Sequence, residues 1–489
     1  MADEKKQEEK RDVKDEKEER YPLDTDKEPV VTEHRLRTGK ESLDYTATAG
    51  MLPINSAIGE TDAGIFFVAY NKKTDQPRPL TFSFNGGPGS SSVWLHLGAV
   101  GPKRVEMLED GSMPPPPYRL VDNPDSWLSH TDLVFIDPVG TGYSRPAKKD
   151  DGKNYWGLKQ DIESVAEFIR MYLTRYDRWS SPLFLVGESY GTTRAAGLSG
   201  HLFDRGIAFN GIILVSSILN FQTARFTKGN DLPYILFLPT YTATAWFHGR
   251  LPHFSTLRAA LNEAEAFAAA DYTLALAKGD RLEAAERQRT IKKLARFTGL
   301  TPQFIEHTDL RINIHQFCKE LLRDQKRTVG RLDSRFKGID PKAVGDTPEH
   351  DPSMTAILPP YTAMLNDYVR RVLGYKTDQP YHIFAPGELY KTWDWGSAGE
   401  GHPDTSESLR QAFSKNPYMK VFVASGYYDL ATPYYATYYT LSHMGLDPSL
   451  GDNVKTGEYE AGHMMYIHTE MLAKLKRDVS EFVASCLAN

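Results

Sequence analysis

The chain has 489 residues, 40% of them hydrophobic, and a formal net charge of −6. That length can bury a large core, as one large domain with an insertion or as two or three domains. The mild negative charge offers no basic field to nucleic acid or acidic membranes, and no apolar run reaches the roughly 18 to 20 residues that span a bilayer.

The start, Met1-Ala2-Asp3-Glu4-Lys5-Lys6, has no apolar signal-peptide core, so the chain as given reads as soluble. Glu, Lys and Asp of both signs dominate up to about Lys27, which predicts a charged, disordered tail over residues 1–28. Residues 30–70 then carry short β-branched and aromatic runs, such as Gly64-Ile65-Phe66-Phe67-Val68-Ala69-Tyr70, that read as antiparallel strands at one sheet edge. Residues 79–84, 133–137, 183–186, 212–216 and 420–424 are nearly continuous apolar runs, as expected of parallel strands covered on both faces. Between them lie helical patterns, the clearest over 158–176, and strand–helix alternation predicts an α/β fold with a mostly parallel central sheet flanked by helices. From about Phe221 to Tyr390 the texture turns helical, with an Ala/Glu-rich segment over 261–285 and amphipathic segments around 290–296 and 361–373. The predicted organisation is therefore a core over 29–220, a mainly helical cap over 221–390 lying above the strand ends, and the rest of the core over 391–489. Cys318 and Cys486 are too few and too far apart for a disulfide scaffold or a zinc site and are expected as separate thiols.

Leu183-Phe184-Leu185-Val186-Gly187-Glu188-Ser189-Tyr190-Gly191 drives a buried strand into a Gly-x-Ser-x-Gly turn, which holds a nucleophilic serine at a sheet edge. The pattern alone occurs by chance in many chains; the strand before it and the small-residue helix expected over 192–203 supply the context that chance lacks. A catalytic serine needs a base and an acid to orient it, which in an α/β-hydrolase follow in the order Ser, Asp, His. Asp429, in the loop after the run 420–424, is the candidate acid, and His463, in a loop made tight by Gly462, is the candidate base. His468 reads as part of the closing helix, and His402 and Asp404 as turn and cap residues. The oxyanion needs two N–H donors, one from Tyr190 and one from the loop Asn85-Gly86-Gly87-Pro88-Gly89, which lacks the Gly-Lys-[Ser/Thr] ending of a phosphate loop.

These residues resemble the serine carboxypeptidases of the S10 peptidase group, and the likeness is to a bacterial-type member of the α/β-hydrolase superfamily. Asn85 to Gly89 is similar to that family's Asn-Gly-Gly-Pro-Gly loop, and Pro138-Val139-Gly140-Thr141-Gly142-Tyr143-Ser144 to its Pro-Val-Gly-x-Gly-[Phe/Tyr]-Ser segment. Gly187-Glu188-Ser189-Tyr190-Gly191 equals its Gly-Glu-Ser-Tyr-Gly, and Asp429 and His463 fall where its acid and base are found. The resemblance implies hydrolysis of the C-terminal peptide bond of peptides with a free C-terminus, without metal or organic cofactor. It implies that Asn85, Gly86 and Glu188 hold the substrate carboxylate and that the amides of Gly87 and Tyr190 form the oxyanion hole. A carboxylate facing Glu188 is tolerable only if one of the two is protonated, which predicts an acidic optimum for peptides.

The sequence departs from the eukaryotic members in having Ser90 where a cysteine is usual and no cysteines for their disulfides. Leu97-Gly98-Ala99-Val100-Gly101-Pro102 has no acid where many relatives carry glutamates, and Ser83 stands where a tryptophan is common. An esterase or acyltransferase with the same triad, and a binding protein that has lost catalysis, are the competing readings. Trp246, Trp393 and Trp395 are candidates for the pocket wall, with core packing the simpler expectation. Oligomeric state, a dimer included, stays open; the resemblance points to a periplasmic or secreted protein if a signal was trimmed, with the cytoplasm open as well.

Overall fold

Alternation of exposure along the chain sets one edge of the sheet. In β1 (Val30–Thr38) every second residue faces solvent, and it pairs antiparallel with β2 (Glu41–Asn55), which pairs antiparallel with the buried β3 (Thr61–Lys72). The apolar runs become β4 (Leu80–Phe84), β5 (Asp132–Ile136), β6 (Leu183–Glu188), β7 (Gly211–Val215) and β8 (Lys420–Gly426), with β9 (Val454–Tyr459) at the far edge. The computed structural model describes residues 19–38, 41–56, 58–387, 389–396 and 402–488. Its central sheet is ordered β1-β2-β3-β5-β4-β6-β7-β8-β9, with the two-residue strand Arg145–Pro146 also pairing with β3. From β5 to β9 every neighbouring pair is parallel, whereas β5 meets β3 antiparallel. This is the α/β-hydrolase fold, a mixed but mostly parallel sheet between helical layers.

Strand periodicity divides the core in two. Phe184 and Val186 of β6 pack on the same side as Ile213 and Val215 of β7, while Leu183, Leu185, Ile212 and Leu214 pack on the other. The second side is covered by α1 (Leu158–Arg175), through Val165, Phe168, Ile169 and Tyr172, and by α2 (Tyr190–Phe203).

Between β7 and β8 the chain forms α3 (Leu232–Phe247), α4 (Leu257–Phe267), α5 (Ala284–Thr298) and α6 (Pro352–Asp367). Phe237 and Tyr241 of α3, Phe267 of α4 and Ile291 and Phe297 of α5 build a separate cluster that also takes in Leu430 and Ala436 of the second core segment. The Ala/Glu-rich segment is not one helix: a π turn over Ala268–Tyr272 and a turn at Gly279, with φ of 52°, break it before α5 begins. Helix α6 starts at Pro352, capped by the Asp351 carboxylate, and runs through Pro359 and Pro360 instead of starting after them. Its stripe Ile357, Tyr361 and Leu365 packs in the cluster that holds Trp94, Leu97 and Phe135, so burial against the sheet side outweighs the lost backbone bonds. The part of the helical stretch from residue 352 onward thus shares its core with the sheet.

The sheet side opposite α2 is closed by the last helix, Thr469–Leu487, through Leu472, Leu475, Val479 and Phe482. Of the charged N-terminal stretch, residues 1–18 lie outside the described residues. The remainder runs along the body: the Tyr21 amide donates to the Ala147 carbonyl at 3.0 Å and Tyr375 donates to Asp24 at 3.1 Å. Cys318 and Cys486 are both buried free thiols. No described helix is long and apolar enough to cross a membrane.

Candidate active site

Strand β6 ends at Glu188 and α2 begins at Tyr190, so Ser189 alone makes the turn, with φ of 59° and ψ of −130°. A non-glycine residue in so sparsely populated a conformation costs on the order of 1–3 kcal/mol, sustained by the packing around it. A Cβ at Gly187 would fall on the Gly191 carbonyl, and one at Gly191 would lie 2.9 Å from the Phe84 carbonyl. The Asn85–Gly89 loop presses on the same turn: a Cβ at Gly86 would strike the Tyr190 amide and lie 2.8 Å from the Glu188 carbonyl. Among the described residues no hydrogen bond engages the amides of Gly87 and Tyr190.

Asp429 and His463 meet after β8 and β9. Both are buried, and His463 Nδ1 lies 2.7 Å from Asp429 Oδ2. The carboxylate is fixed by the amides of Ala431 at 2.8 Å and Thr432 at 3.0 Å, and by the Thr432 hydroxyl at 2.7 Å. A carboxylate at Nδ1 keeps the proton there and leaves Nε2 as the lone-pair nitrogen. Burial disfavours a charged imidazole, but the charge and hydrogen bond of Asp429, with Glu188, outweigh it and raise the His463 pKa above its ordinary value. The backbone of this loop is clamped as well: His463 N–H donates to the Leu332 carbonyl at 2.6 Å, the Ser216 hydroxyl donates to the His463 carbonyl at 2.6 Å, and Gly462 N–H donates to Asp333 at 3.0 Å.

Glu188 is buried and accepts a hydrogen bond from the Tyr466 hydroxyl. Burial pushes its pKa up to about 7, against the opposing pull of His463 and of that hydrogen bond. Asn85 accepts the Leu95 amide at 3.0 Å through its side-chain oxygen, while its buried Nδ2 lies near Glu188 and meets no acceptor in hydrogen-bond geometry. Ser90 accepts Trp94 Nε1 at 2.9 Å, and Ser83 Oγ is buried without a hydrogen-bond partner.

One cavity of about 1090 Å³ is lined by Asn85, Gly86, Gly87, Glu188, Ser189 and His463. Asp429 stands behind His463, and Tyr190 contributes its backbone at the turn while its ring is buried. Trp395 lines the cavity; Trp393 packs edge-on against Tyr190 at 5.5 Å, and Trp246 packs among the helices that follow β7. Asp404 caps the Ser406 amide at 2.8 Å, and His468 directly precedes the last helix. Among the described residues no three His, Cys, Asp or Glu side chains gather as a metal-binding cluster.

Several supporting residues escape sequence reasoning. The buried Arg194 pairs with Asp161 through two bonds, at 2.8 and 3.1 Å, and donates to the Asn85 carbonyl at 2.7 Å, tying α1, α2 and the glycine loop together. An arginine inside a helix of small residues was its only signal. Tyr466, three residues past His463, reads in sequence as an ordinary aromatic, and nothing marks Leu332 and Asp333 as partners of a loop some 130 residues away.

A family model described as serine carboxypeptidase, of the S10 peptidases, matches residues 39–459. The chain belongs to the serine carboxypeptidase family. Members of this family are serine hydrolases. The pheromone-processing carboxypeptidase KEX1 of Saccharomyces cerevisiae is 34% identical over 156 residues, which are 29% of this chain and 20% of that protein. Serine carboxypeptidase-like 36 of Arabidopsis thaliana is 31% identical over 167 residues, 32% of this chain and 33% of that protein. The matches thus span a fifth to a third of these relatives' own length. Among solved structures, VinJ superposes with a TM-score of 0.38 at 12% identity over 90% of this chain and 98% of its own. A thermostable carboxyl esterase from Bacillus coagulans gives 0.37 at 14% identity over the same shares.

Proposed function

We propose that this serine carboxypeptidase family member hydrolyses the C-terminal peptide bond of peptides through an acyl-enzyme on Ser189. Ser189 Oγ attacks the scissile carbonyl carbon as its proton passes to His463 Nε2, and Asp429 holds the imidazole and stabilises its cation. The oxyanion is met by the amides of Gly87 and Tyr190, each of which is worth on the order of a hundred- to a thousandfold in rate. Collapse breaks the C–N bond and returns the proton to the leaving amine, which departs as the C-terminal amino acid. Water then attacks the Ser189 ester, His463 taking its proton; the acyl carbon–Oγ bond breaks, His463 returns the proton to Ser189 Oγ, and the shortened peptide leaves.

The observation that carries the choice of a carboxypeptidase is the buried Glu188 beside Ser189, with a pKa near 7, next to an Asn85 Nδ2 that lacks an acceptor. A protonated Glu188 donates to the substrate's terminal carboxylate, and Asn85 and the Gly86 backbone add neutral donors, so the site takes a carboxylate without placing two charges together. The competing esterase or acyltransferase reading draws on Ser83, whose hydroxyl is buried without a partner at the position where the family resemblance leads one to expect a tryptophan. Mass spectrometry on blocked peptides with free and amidated C-termini, below and above pH 7, separates the two. Loss of single residues from the free acids alone supports the carboxypeptidase; indifference to amidation, or ester turnover without peptide cleavage, removes it. On the family resemblance the periplasm or the outside of the cell is favoured over the cytoplasm, which cell fractionation tests.

A further inference from the structure

Charge around the cavity is lopsided. Among the described residues that line it Glu188 is the only carboxylate, while Arg225 and Arg331 are cationic. Most arginines elsewhere on this net-negative chain have carboxylate partners, such as Arg335 with Asp333 at 2.6 Å and Arg311 with Asp231 at 2.7 Å. Among the described residues Arg225 and Arg331 have none. The Arg225 guanidinium lies over the rings of Trp395, at 4.5 Å, and Phe221, at 5.3 Å. Stacking engages its flat face and leaves the N–H edge for a carboxylate. Arg331 uses its backbone amide on Asp351, at 3.1 Å, and its side chain forms no ion pair among the described residues. It stands one residue before Leu332, which holds the His463 amide, and is close enough for its charge to oppose a proton on His463.

Arg225, half-buried without a counter-ion among the described residues, bears a desolvation cost that a ligand carboxylate offsets, while the exposed Arg331 adds its positive charge at the cavity wall. The terminal carboxylate of a substrate is accounted for by Asn85, Gly86 and Glu188, which leaves these two arginines for a second anion. We infer that the cavity selects peptides with an acidic side chain beside the scissile bond, held by Arg225 and Arg331. The inference rests on reading the cavity as a peptide site.

The test measures binding rather than turnover. Blocked tetrapeptides with Glu, Gln or Lys at the last or the penultimate position are titrated calorimetrically into the Ser189→Ala protein. At one of the two positions Glu should bind about tenfold more tightly than Lys, a difference of about 1.4 kcal/mol, and the gap should narrow as salt is raised. Arg225→Gln and Arg331→Gln should each shrink the gap several-fold while leaving affinity for the Gln peptide unchanged, which also reports that the variants are folded. Equal binding of Glu and Lys peptides at both positions, or a gap that neither substitution moves, overturns the inference. Failure of the unsubstituted enzyme to cleave any of these peptides would instead overturn the carboxypeptidase reading and leave the binding order intact.

Discussion

Tyr466 gives its hydroxyl hydrogen bond to Glu188, the residue directly before Ser189. It does so where the segment 97–102 offers no acid, and Gly98 lies so close that a Cβ there would come within 2.7 Å of the Tyr361 hydroxyl and 2.6 Å of the Tyr466 ring. A phenol bonded to a carboxylate favours its charged form, so Tyr466 holds the Glu188 pKa lower than burial alone would. Tyr466→Phe should therefore keep Glu188 protonated to higher pH. The alkaline limb of kcat/KM for free-acid peptides should move up by as much as about one pH unit, with ester turnover unmoved; a profile that stays in place for both substrates refutes the coupling.

The Glu188 pKa near 7 sets a second expectation. In the proposed carboxypeptidase reading the protonated side chain donates to a peptide's terminal carboxylate below that pH and two negative charges face each other above it, so KM for free-acid peptides should climb as pH passes through about 7. An ester without that carboxylate should show no such rise. Both substrates should lose kcat on the acid side, because His463, its pKa raised by Asp429, must shed its proton to act as a base. Steady-state profiles of the two substrates side by side decide this.

Asp429→Asn should leave the fold intact and cut kcat by about ten-thousandfold. The amide oxygen can keep the Ala431 and Thr432 amides, but its NH2 then faces His463 Nδ1 and forces the proton onto Nε2, where the serine needs a lone pair. Normal turnover in this variant, or in Ser189→Ala, would exclude the site.

Arg194→Met should cost about 3–5 kcal/mol of stability, since Asp161 is left charged and buried with its principal partner gone. Denaturant unfolding gives the number. Replacing Asp161 as well, by Leu, should recover a large part of the loss, and a double variant no more stable than Arg194→Met would show that the pair contributes through something other than charge.

What could be read from the residues follows from how far apart the partners lie. Strands buried on both faces leave continuous apolar runs, so β4 to β8 are visible as such, and the order Ser189, Asp429, His463 needs only a search rule. The course of α6 is hidden because Pro359 and Pro360 look like a boundary until the stripe Ile357, Tyr361 and Leu365 is seen packed beside Trp94. The charged composition up to Lys27 likewise conceals that Tyr21 and Asp24 have partners more than a hundred residues away. Tyr466, Arg194 and Leu332 owe their roles to contacts across the fold, and no local pattern encodes those.

The grip of Leu332 and Asp333 on the His463 loop bears on how this scaffold can change. The segment between β7 and β8 that walls the cavity also seats the imidazole, so in the proposed mechanism exchanging it whole for a homologue's would alter substrate choice and disturb proton transfer in one stroke. A chimera that retains residues 330–336 from the host and swaps only the helices around them separates the two, which makes that short stretch the natural seam for redesigning selectivity.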